Sequence, residues 1–213
     1  VGSGNAGSGA GSRRVIHCAS RLGHLDIDLF HVEAPAALFD AVESRFGAVD
    51  SLVINHARSQ LGELGSLTAE NLDLTWAVNV RASLLLVQEF AQRYVDHPDG
   101  GRVVLFTSGQ GEGPMPTEIP YAVTKGAIAA ITPTVADSLI ERGITVNTIN
   151  PGPTDTGWAS ADLNEFVERH MPRGRWNSPE EAAAVVAMLL SHDSGSITGQ
   201  VIGAEGGFRR FTP

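Results

Sequence analysis

Two periods of apolar residues follow one another along this chain. Residues 12–22 place Val15, Cys18, Ala19 and Leu22 on one helical face, with Ser12 as N-cap and Gly23 as stop, and predict a helix. Residues 24–29 alternate apolar with polar side chains and predict a strand. Residues 35–46 return to helical spacing, with Leu38, Phe39, Val42 and Phe46 inward and Gly47 closing the run. Residues 51–54 predict a buried strand. Thr68 caps a helical stretch reaching about residue 95. Residues 102–107 predict a strand, 120–142 a helix, 144–149 a strand, and 200–202 a last strand. Ser178-Pro179-Glu180-Glu181 combines a Ser cap, Pro at the first helical position and Glu at the third, and opens a helix running to residue 190.

Strands alternating with helices of this length imply parallel βαβ units and a doubly wound α/β sheet. In such sheets ligands bind beyond the carboxyl ends of the strands. The polar clusters fall there: Asp28, residues 55–58, 107–110 and 150–156.

Composition narrows the function classes. The 213 residues suffice for one domain with a sizeable core, and residues 13–213 read as that domain. Residues 1–12 are rich in Gly and Ser and read as a flexible tail or linker. Gly2-x-Gly4-x-x-Gly7 spells a dinucleotide fingerprint, but that motif needs a strand before it. A net charge of −9 argues against nucleic acid or an anionic membrane as the main partner. The single cysteine, Cys18, excludes an internal disulfide framework and a Cys-rich zinc site; it reads as an inert core residue. No metal spacing appears among the histidines, and no run is apolar enough to span a membrane. These features point to a cytoplasmic protein.

Ser108 precedes Tyr121-Ala122-Val123-Thr124-Lys125 by thirteen residues. Tyr at i and Lys at i+4 share a helix face. A phenol keeps its proton to about pH 10, and a nearby cation favours phenolate, which would make Tyr121 a usable acid and base near neutrality. Ser108, at the end of the preceding strand, is placed to orient a substrate oxygen against the phenol. Gln110, Met115 and Pro116 lie between them and could shape the same pocket.

With these motifs in order, residues 13–208 resemble a classical short-chain dehydrogenase/reductase, of the 3-oxoacyl-carrier-protein reductase type. The resemblance implies a Rossmann-like fold and a catalytic tetrad of Ser108, Tyr121, Lys125 and Asn79, the last in Val78-Asn79-Val80. It implies an NAD(P)(H) cofactor contacted by Asp28, Asn55, Ala57, Tyr121, Lys125, Pro151, Gly152, Thr154 and Thr156. It further implies hydride exchange between that cofactor and a small-molecule carbonyl or secondary alcohol, with Tyr121 moving the proton and Lys125 lowering the phenol pKa and holding the nicotinamide ribose. Asn79 would support a water linking Lys125 to solvent, residues 157–173, including Trp158, would form a substrate lid, and the faces over 80–91 and 128–139 would build a homo-dimer or homo-tetramer.

The sequence departs from the family in two places. The family's first strand, its Gly-rich turn, the following helix and the second strand have no counterpart, so an N-terminally truncated sheet with an exposed edge beside the Asn55 strand is expected. His56 and Arg58 stand where the family has Asn and Gly, which makes that loop bulkier and more basic; Arg58 could pair with a phosphate or be solvated, and the tetrad leaves His56 no task. Two rival functions follow: a protein of this fold without nucleotide binding that acts as a binding or oligomerisation partner, and a non-redox lyase or isomerase using Tyr121.

Overall fold

A four-stranded parallel sheet carries the site. In the computed structural model, which describes residues 16–20, 23–157 and 159–211, its strands are β3 (Ser51–Ile54), β4 (Gly101–Phe106), β5 (Ile144–Asn150) and β6 (Val201–Gly203), in that spatial order. Helices cover both faces. On one side α1 (Ala34–Phe46), α3 (Ala82–Arg93) and α4 (Ile119–Leu139) bury Phe39, Leu86, Phe90 and Ile128 against Ile54, Val103, Leu105 and Val146. On the other, α6 (Pro179–Leu190) packs Leu189, Val185 and Val186 on Val104 and Ile149. Burial of these apolar faces from water is what closes the three layers.

Local signals set most of the boundaries. The Thr68 hydroxyl accepts from Asn71 N at 3.1 Å and starts α2 (Ala69–Trp76). Ser178 and Glu181 form the reciprocal capping box that starts α6. The helical stretch from 69 to 93 is interrupted by a π-helical turn at Ala77–Arg81, where the ladder takes in one extra residue.

Three expectations are corrected. Ile16–Ser20 is not helical: it forms strand β1, paired antiparallel with β2 (Gly23–Ile27) from Ile16↔Ile27 to Ser20↔Gly23. Period two fits Ile16 and Cys18 as well as helical spacing does, and pairing satisfies the β2 backbone. Ser12, Val15, Leu22 and the side chain of Cys18 lie outside the described residues, as does the Gly/Ser-rich stretch. Secondly, β2 joins that hairpin rather than the parallel sheet. Thirdly, β3 is not a buried strand: it ends the sheet, and Val53 is 41% exposed. Residues 157–173, the expected lid segment, contain a helix for which no prediction was made, α5 (Ala161–His170), capped by the Ser160 hydroxyl. Trp158 lies outside the described residues.

Candidate active site

Ser108, Tyr121, Lys125 and Asn79 meet at the carboxyl end of β4, because three elements converge there. Thr107 prolongs β4 by donating from its backbone to Ile149 O at 2.9 Å, and Ser108 follows it as the extended residue before the Gly109–Gly111 turn. Tyr121 lies in the first turn of α4, with Lys125 one turn later. The strand end and the helix are clasped by two hydrogen bonds: Lys125 Nζ donates to Phe106 O at 2.8 Å, and the Thr107 hydroxyl donates to Lys125 O at 2.8 Å. The Ser108 hydroxyl lies close enough to the Tyr121 phenol to favour its ionised form.

Asn79 is buried at the centre of the π-helical turn and locks three segments together. Its Oδ1 accepts from Arg58 N at 2.6 Å, and its Nδ2 donates to Arg58 O at 3.0 Å and to Thr124 Oγ1 at 2.9 Å. Thr124 in turn donates to Tyr121 O at 2.8 Å. The Asn79 carbonyl accepts from the Ser83 hydroxyl at 2.7 Å. Asn79 thus fixes the β3 loop to the helix that carries Tyr121.

Burial dominates the electrostatics. It pushes the Lys125 ammonium down to about 8 from its ordinary 10.5. It pushes the Tyr121 phenol up, against the nearby Ser108 hydroxyl, which pulls it down, and Glu118 adds to the rise. The expected lowering of the phenol by Lys125 is therefore corrected. One donor of the ammonium goes to Phe106 O, and Nζ lies 5.7 Å from the phenol ring centroid. His56 is pushed down to about 4, chiefly by burial, with the Lys125 charge acting the same way and its bond to Val78 O opposing. Its Nε2 donates to Val78 O at 2.8 Å, so neutral His56 keeps Nδ1 unprotonated.

The loop after β5 lies beside the tetrad. Gly152 adopts φ +64, a conformation that suits glycine, and its amide donates to Asn150 Oδ1 at 3.1 Å. Thr154 donates to Gly152 O at 3.2 Å, and Pro151 is partly buried while Thr156 is exposed. Asn55 and Ala57 are exposed in the loop after β3. Asp28 accepts from Phe30 N at 3.0 Å and pairs with His31 at 4.0 Å, which gives it a local task in its own turn. Arg58 is neither solvated nor aimed at an open loop: its guanidinium is buried and donates to Gln60 and to Asn71 Oδ1. Gln110 donates to Thr107 Oγ1 at 3.1 Å and is braced against Thr107.

Sequence reading missed Asn177. It is 2% exposed and donates from Nδ2 to Pro151 O and Ala204 O, both at 3.0 Å, tying the loop after β5 to the end of β6. An asparagine before a helix cap is common, so no local signal marked it. One overlooked signal was available: Lys125 is the chain's single lysine among many arginines. Arginine stays charged when buried, whereas a buried lysine can release its proton near neutrality.

A family model described as Enoyl-(Acyl carrier protein) reductase matches residues 10–209. The chain belongs to the short-chain dehydrogenase/reductase family. Among its relatives is the uncharacterized oxidoreductase YjdA of Bacillus subtilis, 39% identical over 199 residues, 93% of this chain and 79% of that protein. A short-chain dehydrogenase/reductase from Serratia marcescens superimposes with a TM-score of 0.80 at 33% identity, over 86% of this chain and 75% of its own. The angucycline C-6 ketoreductase LanV with bound NADP gives 0.78 at 32%, over 85% and 73%. This chain is accordingly an oxidoreductase of the short-chain dehydrogenase/reductase family, with the family's parallel sheet and flanking helices. Among the described residues no helix is long and apolar enough to cross a membrane, and no cluster of side chains could hold a metal ion.

Proposed function

We propose that the protein is an NAD(P)-dependent reductase of a small ketone or aldehyde, reversible to the secondary alcohol, with Tyr121 as acid and base. The observation that carries this reading is a buried lysine clasped to the end of β4 and standing over the Tyr121 ring, with Ser108 beside the phenol. The residues present fit a nicotinamide nucleoside: Lys125 has three ammonium donors, and its described hydrogen bond uses one. The others suit a ribose hydroxyl, while Pro151, Gly152, Thr154 and Thr156 of the loop after β5 would hold the nicotinamide. Asn55, Ala57 and Asp28 would contact the rest of the dinucleotide. When bound, the cofactor supplies or accepts the hydride.

This chain's own residues handle the oxygen. Ser108 donates to the substrate carbonyl and orients it. Tyr121, kept protonated at neutral pH by burial, passes its proton to that oxygen as the alcohol forms. The reducing direction needs a proton donor, and the phenol holds its proton at neutral pH. Asn79 holds Tyr121's helix in place through Thr124.

Tyr121→Phe is expected to lower kcat by about 10²–10⁴-fold while nicotinamide fluorescence still saturates on titration. Full turnover in that variant would sink the assignment. We further propose a cytoplasmic homo-oligomer, with the apolar groove of about 330 Å³ between α3 and α4, bordered by Leu84, Val87, Val135 and Leu139, meeting a second copy. Sedimentation of Leu84→Glu should show a smaller species than wild type; an unchanged assembly would contradict it.

A further inference from the structure

Gly109 and Gly113 bracket the turn that follows Ser108, and neither has a left-handed backbone. A neighbour demands their smallness instead. A Cβ on Gly109 would come within 2.7 Å of Arg210 Cζ, and one on Gly113 within 2.7 Å of Arg210 Cδ. Arginine tips usually move aside from such a clash. This one is held. Both terminal nitrogens of Arg210 donate to the two oxygens of Glu205, with side-chain exposures of only 17% and 13%. Glu205 also accepts from Asn150 Nδ2 at 2.7 Å, and its Cα packs so tightly on Gly152 that a Cβ there would come within 2.7 Å. The Arg210 guanidinium further lies 5.0 Å from the Phe208 ring centroid. A planar, two-pronged pair of this kind fixes orientation as well as charge.

We propose that Arg210 is a positioning residue for Ser108. Its guanidinium, locked through Glu205 to the end of β5, is the wall against which the turn after β4 is set. It thereby decides where the Ser108 hydroxyl stands relative to Tyr121. The same lock joins the loop bordering the nicotinamide to the loop bearing the serine. This rests on the reading of Ser108 and Tyr121 as the reacting pair.

The chain has two tyrosines, Tyr94 and Tyr121, which makes a direct test available. Protein labelled with 3-fluorotyrosine should give two ¹⁹F resonances, assigned by the loss of one in Tyr121→Phe. Tyr94, buried against Phe90, reports on the fold. Arg210→Ala is expected to shift the Tyr121 resonance in the direction of Ser108→Ala and to leave Tyr94 in place, with Arg210→Lys shifting it less. If Ser108→Ala moves Tyr121 and Arg210→Ala does not, the positioning role is overturned and the reacting pair stands. If neither moves it, both fall. Movement of Tyr94 together with Tyr121 would also overturn the proposal, by making Arg210 a residue of the fold. Should Arg210→Ala not fold, Glu205→Gln, which removes one prong of the lock at nearly constant volume, is judged on the same two resonances.

Discussion

β5 and β3 belong to one sheet, and their burial runs opposite to their composition. β5, Ile-Thr-Val-Asn-Thr-Ile-Asn, is more than half polar, yet all seven residues are buried. β3, Ser-Leu-Val-Ile, is mostly apolar, yet only Ile54 is buried. Position explains the difference: β5 has strands on both sides and helices on both faces, whereas β3 ends the sheet. Asn147, Thr148 and Asn150 survive burial because each finds a partner. Asn147 donates to Ile197 O at 2.7 Å and accepts from Gln200 N at 3.1 Å, and Thr148 shares a 2.6 Å bond with Thr132. Asn150 continues the series into the site by holding Gly152 and Glu205. The centre of the sheet is thus a polar network inside an apolar shell, and the candidate site is its exposed end.

Truncation tests that contrast most sharply. Ile149→Ala at the centre should cost about 2–5 kcal/mol in denaturant unfolding, since it opens a cavity between fully packed layers. A loss below about 1 kcal/mol would show that the centre is not close-packed.

The buried charge at the end of the central strands gives the next effect. The folded-state pKa of Lys125, about 8, lies below its ordinary 10.5. Below pH 8 both folded and unfolded states hold the proton, and the burial penalty is fully present. Between pH 8 and 10.5 the unfolded state binds more protons, so stability rises with pH, by about 3 kcal/mol in all. Lys125→Met should lose that rise when its unfolding curves are compared with wild type across the window. Because Lys125 is the chain's lone lysine, ¹³C-lysine labelling gives its titration as one signal. A midpoint near 10.5 would contradict the burial. Val53→Ala at the edge should have the smallest effect, under about 1 kcal/mol, because Val53 is 41% exposed.

Much of the frame was legible in the residues. Helix starts at Thr68 and Ser178 were written in local chemistry, since a hydroxyl that accepts from the third residue on needs no distant partner. The spacing of Ser108, Tyr121 and Lys125 was legible too, because helix geometry and a strand end suffice to place them. Ile16–Ser20 was misread because its apolar spacing fits both periods and only pairing with β2 decides between them. α5 was missed because residues 157–173 were read as a whole as a substrate lid, and its packing through Val167 on Met171 and Trp176 is tertiary. The roles of Asn177, Glu205 and Arg210 depend on contacts between distant segments, which no local pattern records.

By itself the sequence determined the alternating strands and helices that build the parallel sheet, the helix caps at Thr68 and Ser178, the family, and the spacing that brings Ser108, Tyr121 and Lys125 together, all consequences of short-range patterns. The tertiary structure alone decided that the half-polar β5 would be buried throughout, that the phenol would be raised rather than lowered, and that Arg210 would stand behind Ser108. Those outcomes depend on burial and on contacts between segments far apart in the chain, and desolvation is a property of the folded surroundings, not of the residue.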